Sequence, residues 1–140
     1  MKYVGVSGKS RKFHKYGVIL YNAYIPMEKK PTLNIVIPVY NEEEALLAFH
    51  QLLCDALQPL PYTFSIYYVN DGSVDGSGDL LNRLARQDER VTVIELSRNF
   101  GHQAALTAGL AHAGGRAVIA MDADLQDPPE VIPELLGRWR

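Results

Sequence analysis

The stretch Leu33-Asn-Ile-Val-Ile-Pro-Val-Tyr40 is almost continuously apolar and rich in β-branched residues. A strand of a parallel sheet that is covered on both faces has this composition, whereas a half-exposed strand alternates apolar and polar residues. The next four residues, Asn41-Glu-Glu-Glu44, supply a cap and acids suited to the positive end of a helix. The stretch therefore predicts a buried strand that leads directly into a helix.

The same pattern repeats three more times along the chain. After the first helix, which ends near residue 57, strands are predicted at residues 63–69, 91–96 and 116–121. Helices are predicted at residues 78–87 and 102–113, and a last one is opened by Pro128 and Pro129. Four strand–helix repeats predict an α/β fold, with a parallel sheet and helices on both of its faces.

Residues 1–31 carry no clear period, and residues 1–30 hold seven Lys and Arg residues against a single acid, Glu28. We interpret residues 1–31 as a basic N-terminal extension outside the main fold, and residues 32–140 as the domain. A basic extension is able to contact nucleic acid or anionic lipid, but a solvated tail is the preferred interpretation. No nucleic-acid partner is predicted.

The composition is that of an ordinary globular domain, with 140 residues, 47% hydrophobic and 21% charged. The longest apolar stretch, residues 17–25, is interrupted by Asn22 and falls short of the ~18 residues of a membrane span. We therefore expect no transmembrane segment in this chain. Its single cysteine, Cys54, excludes an internal disulfide and fits a cytoplasmic location, and its place in a predicted helix indicates a structural thiol.

Polar turns follow all four predicted strands, at residues 40–42, 70–72, 98–101 and 122–124. In an open parallel sheet, ligands bind beyond the carboxyl ends of the strands. The four turns are therefore expected to share one rim and to form a binding site there.

The turn after the fourth strand contains Asp122 and Asp124, which point the same way if the chain is extended. With Gln126 as a neutral oxygen donor, the two acids suit Mg²⁺, which usually keeps one or two carboxylates and a substrate's phosphates. The alternative is an acidic turn that merely caps the next helix. A calcium loop is excluded because Asp127 and Pro133 stand where it needs Gly and Glu.

The chain has neither of the two commonest glycine-rich nucleotide motifs. Phosphate charge must then be neutralised chiefly by a cation that acids hold, and this arrangement suits a metal-bound nucleotide diphosphate.

Four motifs stand in order: Ile37-Pro-Val-Tyr-Asn-Glu-Glu43, Val69-Asn-Asp-Gly-Ser73, Leu96-Ser-Arg-Asn-Phe-Gly101 and Met121-Asp-Ala-Asp-Leu-Gln-Asp-Pro-Pro-Glu130. With these motifs, residues 33–140 resemble the amino-terminal half of a family 2 glycosyltransferase. The nearest likeness is to the enzymes that make polyprenyl-phosphate sugars, such as dolichol-phosphate mannosyltransferases and undecaprenyl-phosphate glucosyltransferases.

The resemblance implies a Rossmann-like fold of the GT-A type and metal-dependent inverting transfer of a sugar from a UDP- or GDP-sugar. It implies that base and ribose are held by Pro38, Tyr40, Glu42, Val69 and Asp71, with the Asp71 carboxylate accepting from a ring N–H of the base. It also implies that the diphosphate and its Mg²⁺ or Mn²⁺ are bound by Asp122, Ala123, Asp124 and Gln126.

Each of these residues also has a plain structural interpretation. Pro38 and Tyr40 suit a strand end and a core aromatic, Glu42 suits the first turn of a helix, and Asp71 suits a turn. Arg98 either approaches the nucleotide or pairs with a surface acid. All four histidines are interpreted as structural, His102 as a neighbour of a helix start; the others are His14, His50 and His112.

The preferred function is sugar transfer to a polyprenyl phosphate at the cytoplasmic face of a membrane, which the protein would reach through its acceptor or a further C-terminal segment. The alternatives are a family member with a carbohydrate acceptor, and an inactive module that binds a nucleotide-sugar. Because the resemblance stops within the helix after the metal motif, we expect a fold that is incomplete at its C-terminus. No catalytic residue is assigned.

Overall fold

The computed structural model describes residues 11–13, 19–22 and 32–139. Six strands are present in this part of the chain: β1 (Arg11–Phe13), β2 (Ile19–Asn22), β3 (Thr32–Val39), β4 (Thr63–Asn70), β5 (Val91–Glu95) and β6 (Ala117–Ala120). Its α-helices are α1 (Glu43–Leu57), α2 (Ser77–Gln87), α3 (His102–His112) and α4 (Ile132–Trp139). A single 3₁₀ turn, Pro129–Val131, precedes α4.

The six strands form one sheet in the order β1-β2-β6-β3-β4-β5. The four strands predicted from the sequence, β6, β3, β4 and β5, are mutually parallel. The prediction of a parallel α/β fold is therefore confirmed.

The interpretation of residues 1–31 as lying wholly outside the main fold is wrong for two short segments. Strand β2 pairs antiparallel with β6, and β1 pairs antiparallel with β2. A strand of three or four residues is too short to show a period in the sequence, and its partner β6 lies about a hundred residues away. The boundary of the domain at residue 32 stays a prediction.

Helices cover both faces of the sheet, and the two faces are packed differently. The larger core lies between the sheet and α1, α2 and α4, and includes the fully buried Phe49 and Tyr68. On the other face α3 lies over Val36, Val118 and Ala120. At Gly109 of α3, an added Cβ would collide with the side chains of Val36 and Val69, so the absence of a side chain at this position allows the close approach of the helix.

The start of α1 differs from the predicted cap. The N-cap residue is Glu42, and its side chain makes no capping hydrogen bond. Instead, the Glu42 N–H donates to Ser77 Oγ at 2.9 Å and the Glu43 N–H donates to Asp75 Oδ2 at 3.2 Å. The Asn41 side chain accepts from the Val74 N–H at 2.9 Å. The loop before α2 and the first residue of that helix thus cap α1 and join the first two turns of the rim.

None of the helices in the described part of the chain combines the length and apolar surface that a bilayer span requires.

Candidate active site

The four loops at the carboxyl ends of the parallel strands enclose a cleft of about 290 Å³. Each loop contributes to its wall, as the sequence predicted. The lining residues are Pro38, Val39, Tyr40, Glu42, Asp71, Asn99, Gly101, His102, Asp122, Ala123 and Asp124.

Seven of the nine predicted site residues line this cleft, and two do not. The Val69 side chain is fully buried and points toward Gly109 of α3, away from the rim. Gln126 is exposed, and its main-chain N–H donates to Asp124 Oδ1 at 3.0 Å. The roles proposed for Val69 in the base pocket and for the Gln126 side chain as a metal ligand stay predictions.

Carboxylates are concentrated at one side of the cleft. Burial and the nearby charges of Asp124 and Asp122 raise the pKa of Glu42. Burial and the same two aspartates raise the pKa of Asp127. Because two further acids feel the charges of Asp122 and Asp124, the region is one in which a bound cation would relieve like-charge repulsion.

A short backbone turn fixes the two aspartates. Ala123 between them is buried, which holds the turn against the core, whereas Asp122 and Asp124 are half-buried. Leu125 adopts a left-handed conformation with φ of 64°, which is uncommon for a residue with a branched side chain. This bend brings the Gln126 N–H back onto Asp124, so the orientation of that carboxylate is set locally.

His102 contacts the predicted metal motif directly, a role that the sequence analysis missed. Its Nε2 lies 2.7 Å from Asp122 Oδ1. The contact joins the start of α3 to the loop after β6. Its only signal in the sequence is the position of His102 directly after the third polar turn, on the same rim.

Asp71 holds two loops of the rim together, a structural role in addition to its predicted contact with a base. The carboxylate is buried and accepts from the N–H groups of Phe100 and Gly101 at 2.8 and 3.1 Å. An ionised carboxylate has about four acceptor positions, so capacity for a further donor remains. Asp71 therefore holds the loop after β5 against the loop after β4.

Gly72 lets these two loops touch through their main chains. Its φ is 68°, and a Cβ there would collide with the backbone of Arg98 and Asn99. The side chain of Arg98 lies over the Phe100 ring, with its guanidinium carbon 4.5 Å from the ring centre. Arg98 is thus positioned by an aromatic neighbour, while the adjacent Asn99 lines the cleft.

The geometry fits the protein family that comparison with known sequences identifies. The model of glycosyl transferase family 2 matches residues 34–140. A bactoprenol glucosyl transferase of Shigella phage SfV is 45% identical over 108 residues, which are 77% of this chain and 35% of that protein. An uncharacterized glycosyltransferase of Synechocystis is 48% identical over 108 residues, which are 77% of this chain and 34% of that protein. The chain thus spans about a third of the length of these relatives.

Solved structures show the same fold. The mannosyltransferase PcManGT from Pyrobaculum calidifontis, in complex with GDP-Man and Mn²⁺, matches with a TM-score of 0.55 and 26% identity, over 69% of this chain and 28% of that one. S. aureus TarS 1-349 matches with a TM-score of 0.59 and 20% identity, over 76% of this chain and 31% of that one. The predicted GT-A type of fold is confirmed. Because the family model covers most of its length, the chain belongs to glycosyl transferase family 2.

Proposed function

We propose that this chain supplies the donor-binding half of a transferase that moves a sugar from a nucleotide-sugar to a polyprenyl phosphate. The observation that carries the proposal is the pair Asp122 and Asp124, at the carboxyl end of β6, facing a cleft built from four loops. Relatives named bactoprenol glucosyl transferase support the acceptor, at 45% identity over most of the chain.

The donor atoms at the rim fit a divalent cation of the Mg²⁺ or Mn²⁺ type. Carboxylate oxygens are the ligands that such hard cations prefer, and the excess of negative charge around Asp122 and Asp124 favours one. Asp122 and Asp124 would hold the ion, with Gln126 as a further candidate. A bound cation would neutralise the diphosphate and stabilise it as a leaving group. The neighbour that was solved with GDP-Man and Mn²⁺ supports this choice.

The remaining cleft residues would bind the nucleoside. Pro38 and Tyr40 form an apolar wall, and the half-exposed Tyr40 ring is free to contact a base. The Asp71 carboxylate, already bonded to two backbone N–H groups, would accept from the base. Val69 would act through β4, the strand that leads into Asp71. A lipid phosphate is ionised at neutral pH and needs no general base, so the proposal assigns none.

Donor binding by the purified chain tests the proposal. We expect calorimetry to show that Mn²⁺ is needed for binding of a UDP- or GDP-sugar. Asp124→Ala should weaken this binding by roughly tenfold or more, because even outer-shell partners of a metal contribute that much. The control is Glu89→Ala, which removes an exposed acid distant from the rim. Unchanged Mn²⁺-dependent affinity in Asp124→Ala would refute the proposal.

Transfer assays separate the alternatives. Radiolabelled nucleotide-sugars are incubated with the chain and either undecaprenyl phosphate or a free carbohydrate acceptor. Lipid-linked product supports the proposed acceptor, whereas glycosylated carbohydrate supports the second candidate. Donor binding without product from either acceptor, even when a longer relative's C-terminal part is added, indicates a binding module.

A further inference from the structure

Three side chains that carry metal-binding atoms meet on the face of the sheet opposite α3. They are His50 and Cys54 of α1 and Asp88, which follows α2, and their donor atoms all lie within 4.8 Å of one another. His50 and Cys54 are four residues apart on one helix, so both point to the same side. All three side chains are partly buried, which leaves them accessible to an ion from solvent.

The spacing of the two helical ligands matches that of a zinc site. Zn²⁺ binds imidazole nitrogen at about 2.0–2.1 Å and thiolate sulfur at about 2.3 Å, which places two ligands of a tetrahedral site roughly 3.5 Å apart. The distance between His50 Nε2 and Cys54 Sγ is 3.6 Å. We propose that His50, Cys54 and Asp88 form a binding site for a thiophilic divalent cation such as Zn²⁺, separate from the rim.

A hydrogen bond to Tyr68 orients the His50 ring as a metal ligand requires. His50 Nδ1 lies 2.9 Å from the hydroxyl oxygen of the buried Tyr68. In the tautomer whose Nδ1–H donates to Tyr68, the Nε2 lone pair is left facing Cys54. Metal-binding histidines are usually oriented in this way, by a hydrogen bond from the ring nitrogen that does not bind the metal.

Arg90 orients the third ligand. Its Nε donates to Asp88 Oδ1 at 2.8 Å, and its Nη2 donates to Asp88 Oδ2 at 2.6 Å. Asp88 Oδ1 also accepts from the Arg90 main-chain N–H at 2.9 Å, and Oδ2 accepts a longer bond from Nε at 3.2 Å. The four acceptor positions of the carboxylate are therefore in use, and a cation would displace the long bond from Nε to Oδ2. Carboxylates that bind metals are commonly hydrogen-bonded in this manner.

Burial shifts the pKa values of two of the ligands in opposite directions. Burial lowers the pKa of His50, which favours the neutral imidazole that binds metals. Burial raises the pKa of the Cys54 thiol, so cation binding has to displace the thiol proton. The ion would join α1 to the connection between α2 and β5. This inference does not depend on the proposed function.

Cobalt spectroscopy tests the site specifically. Co²⁺ bound to a thiolate gives a charge-transfer band in the near ultraviolet, and Cys54 is the only cysteine of the chain, so the band reports this site alone. We expect the reduced 140-residue chain to develop the band, to saturate at one Co²⁺ per chain and to lose the band when Zn²⁺ is added. Ions at the carboxylates of the rim give no such band.

Variants identify the ligands. Cys54→Ser and His50→Ala should lose the band, and Asp88→Asn should weaken Co²⁺ binding by roughly tenfold. His112→Ala removes an exposed histidine whose Nδ1 lies 2.8 Å from the Ala108 carbonyl oxygen, and should keep the band. Circular dichroism of each variant without metal checks that it is folded. The inference is overturned if the folded wild-type chain shows no band, if a folded His50→Ala chain keeps it, or if saturation occurs at one Co²⁺ per two chains.

Discussion

The interior of the sheet is apolar, whereas its carboxyl-terminal rim concentrates carboxylates. In the interior, Ile35, Ile37 and Ile119 are completely buried among apolar neighbours. At the rim, Asp122 and Asp124 lie close enough to raise the pKa of two other acids. The interior is arranged for stability, whereas the rim keeps a repulsion that a ligand would relieve. Substitutions in the interior should therefore change the free energy of unfolding, and those at the rim chiefly donor binding.

The largest effect on stability is expected for Phe49→Ala, in the larger core between the sheet and α1, α2 and α4. Phe49 of α1 is 0% exposed, and its truncation leaves a cavity that typically costs about 3–5 kcal/mol. Leu47→Ala, on the same helix but 53% exposed, should change stability by less than about 0.5 kcal/mol. Denaturant unfolding of both variants measures the difference. Equal losses of unfolding free energy in the two variants would show that α1 is not packed as described.

The face under α3 is tested by a pair of glycines. Gly109→Ala should destabilise the fold by about 1–3 kcal/mol, because the added Cβ overlaps the side chains of Val36 and Val69. Gly137→Ala in α4 meets no atom within 4 Å and should stabilise the fold by about 0.5–1 kcal/mol, since alanine favours a helix. Thermal unfolding of the two variants should shift in opposite directions. Shifts of the same sign would contradict the close approach of α3.

Asp71 lies at the boundary between the two regions, so its substitution should affect both. Asp71→Asn retains one acceptor oxygen for the two N–H groups of Phe100 and Gly101, and an unsatisfied buried donor costs about 1–3 kcal/mol. The loop that leads into His102 would shift, and Mn²⁺-dependent donor affinity should fall with stability. Asp79→Asn, an exposed acid in the first turn of α2, is the control. Full donor affinity in a destabilised Asp71→Asn chain would show that the loop held by Asp71 does not contribute to donor binding.

The interior could be predicted from the sequence much better than the rim. Continuous apolar runs such as residues 33–39 locate the four parallel strands, and the turns between them locate the cleft. Contacts within the rim leave no such pattern, because they depend on how each loop folds back. The contact of His102 with Asp122 and the bonds of Asp71 to the β5–α3 loop were therefore missed. The antiparallel pairing of β2 with β6 was missed because it is short and remote in sequence.

The smallest expected effect belongs to Glu42 and depends on pH. Its pKa is raised above the ordinary value of 4.5, first by burial and then by Asp124 and Asp122. When the pKa of a carboxyl group is higher in the folded state, its contribution to stability is complete at a pH below its pKa in the unfolded chain. The contribution is lost as the pH rises through its pKa in the folded state. Glu42→Gln stays neutral, so it should be more stable than the wild type at neutral pH. The difference should vanish as the pH falls below 4.5.

Melting temperatures measured across this pH range, with Glu44→Gln as an exposed control from the same first turn, check the prediction. Addition of Mn²⁺ gives a second test of the prediction, because an ion held by Asp122 and Asp124 would offset their repulsion of Glu42. The advantage of Glu42→Gln at neutral pH should then narrow, while Glu44→Gln stays unaffected. A constant difference at every pH, with or without Mn²⁺, would mean that Glu42 does not share the charge of the two aspartates. The rim would then lack the repulsion that distinguishes it from the interior.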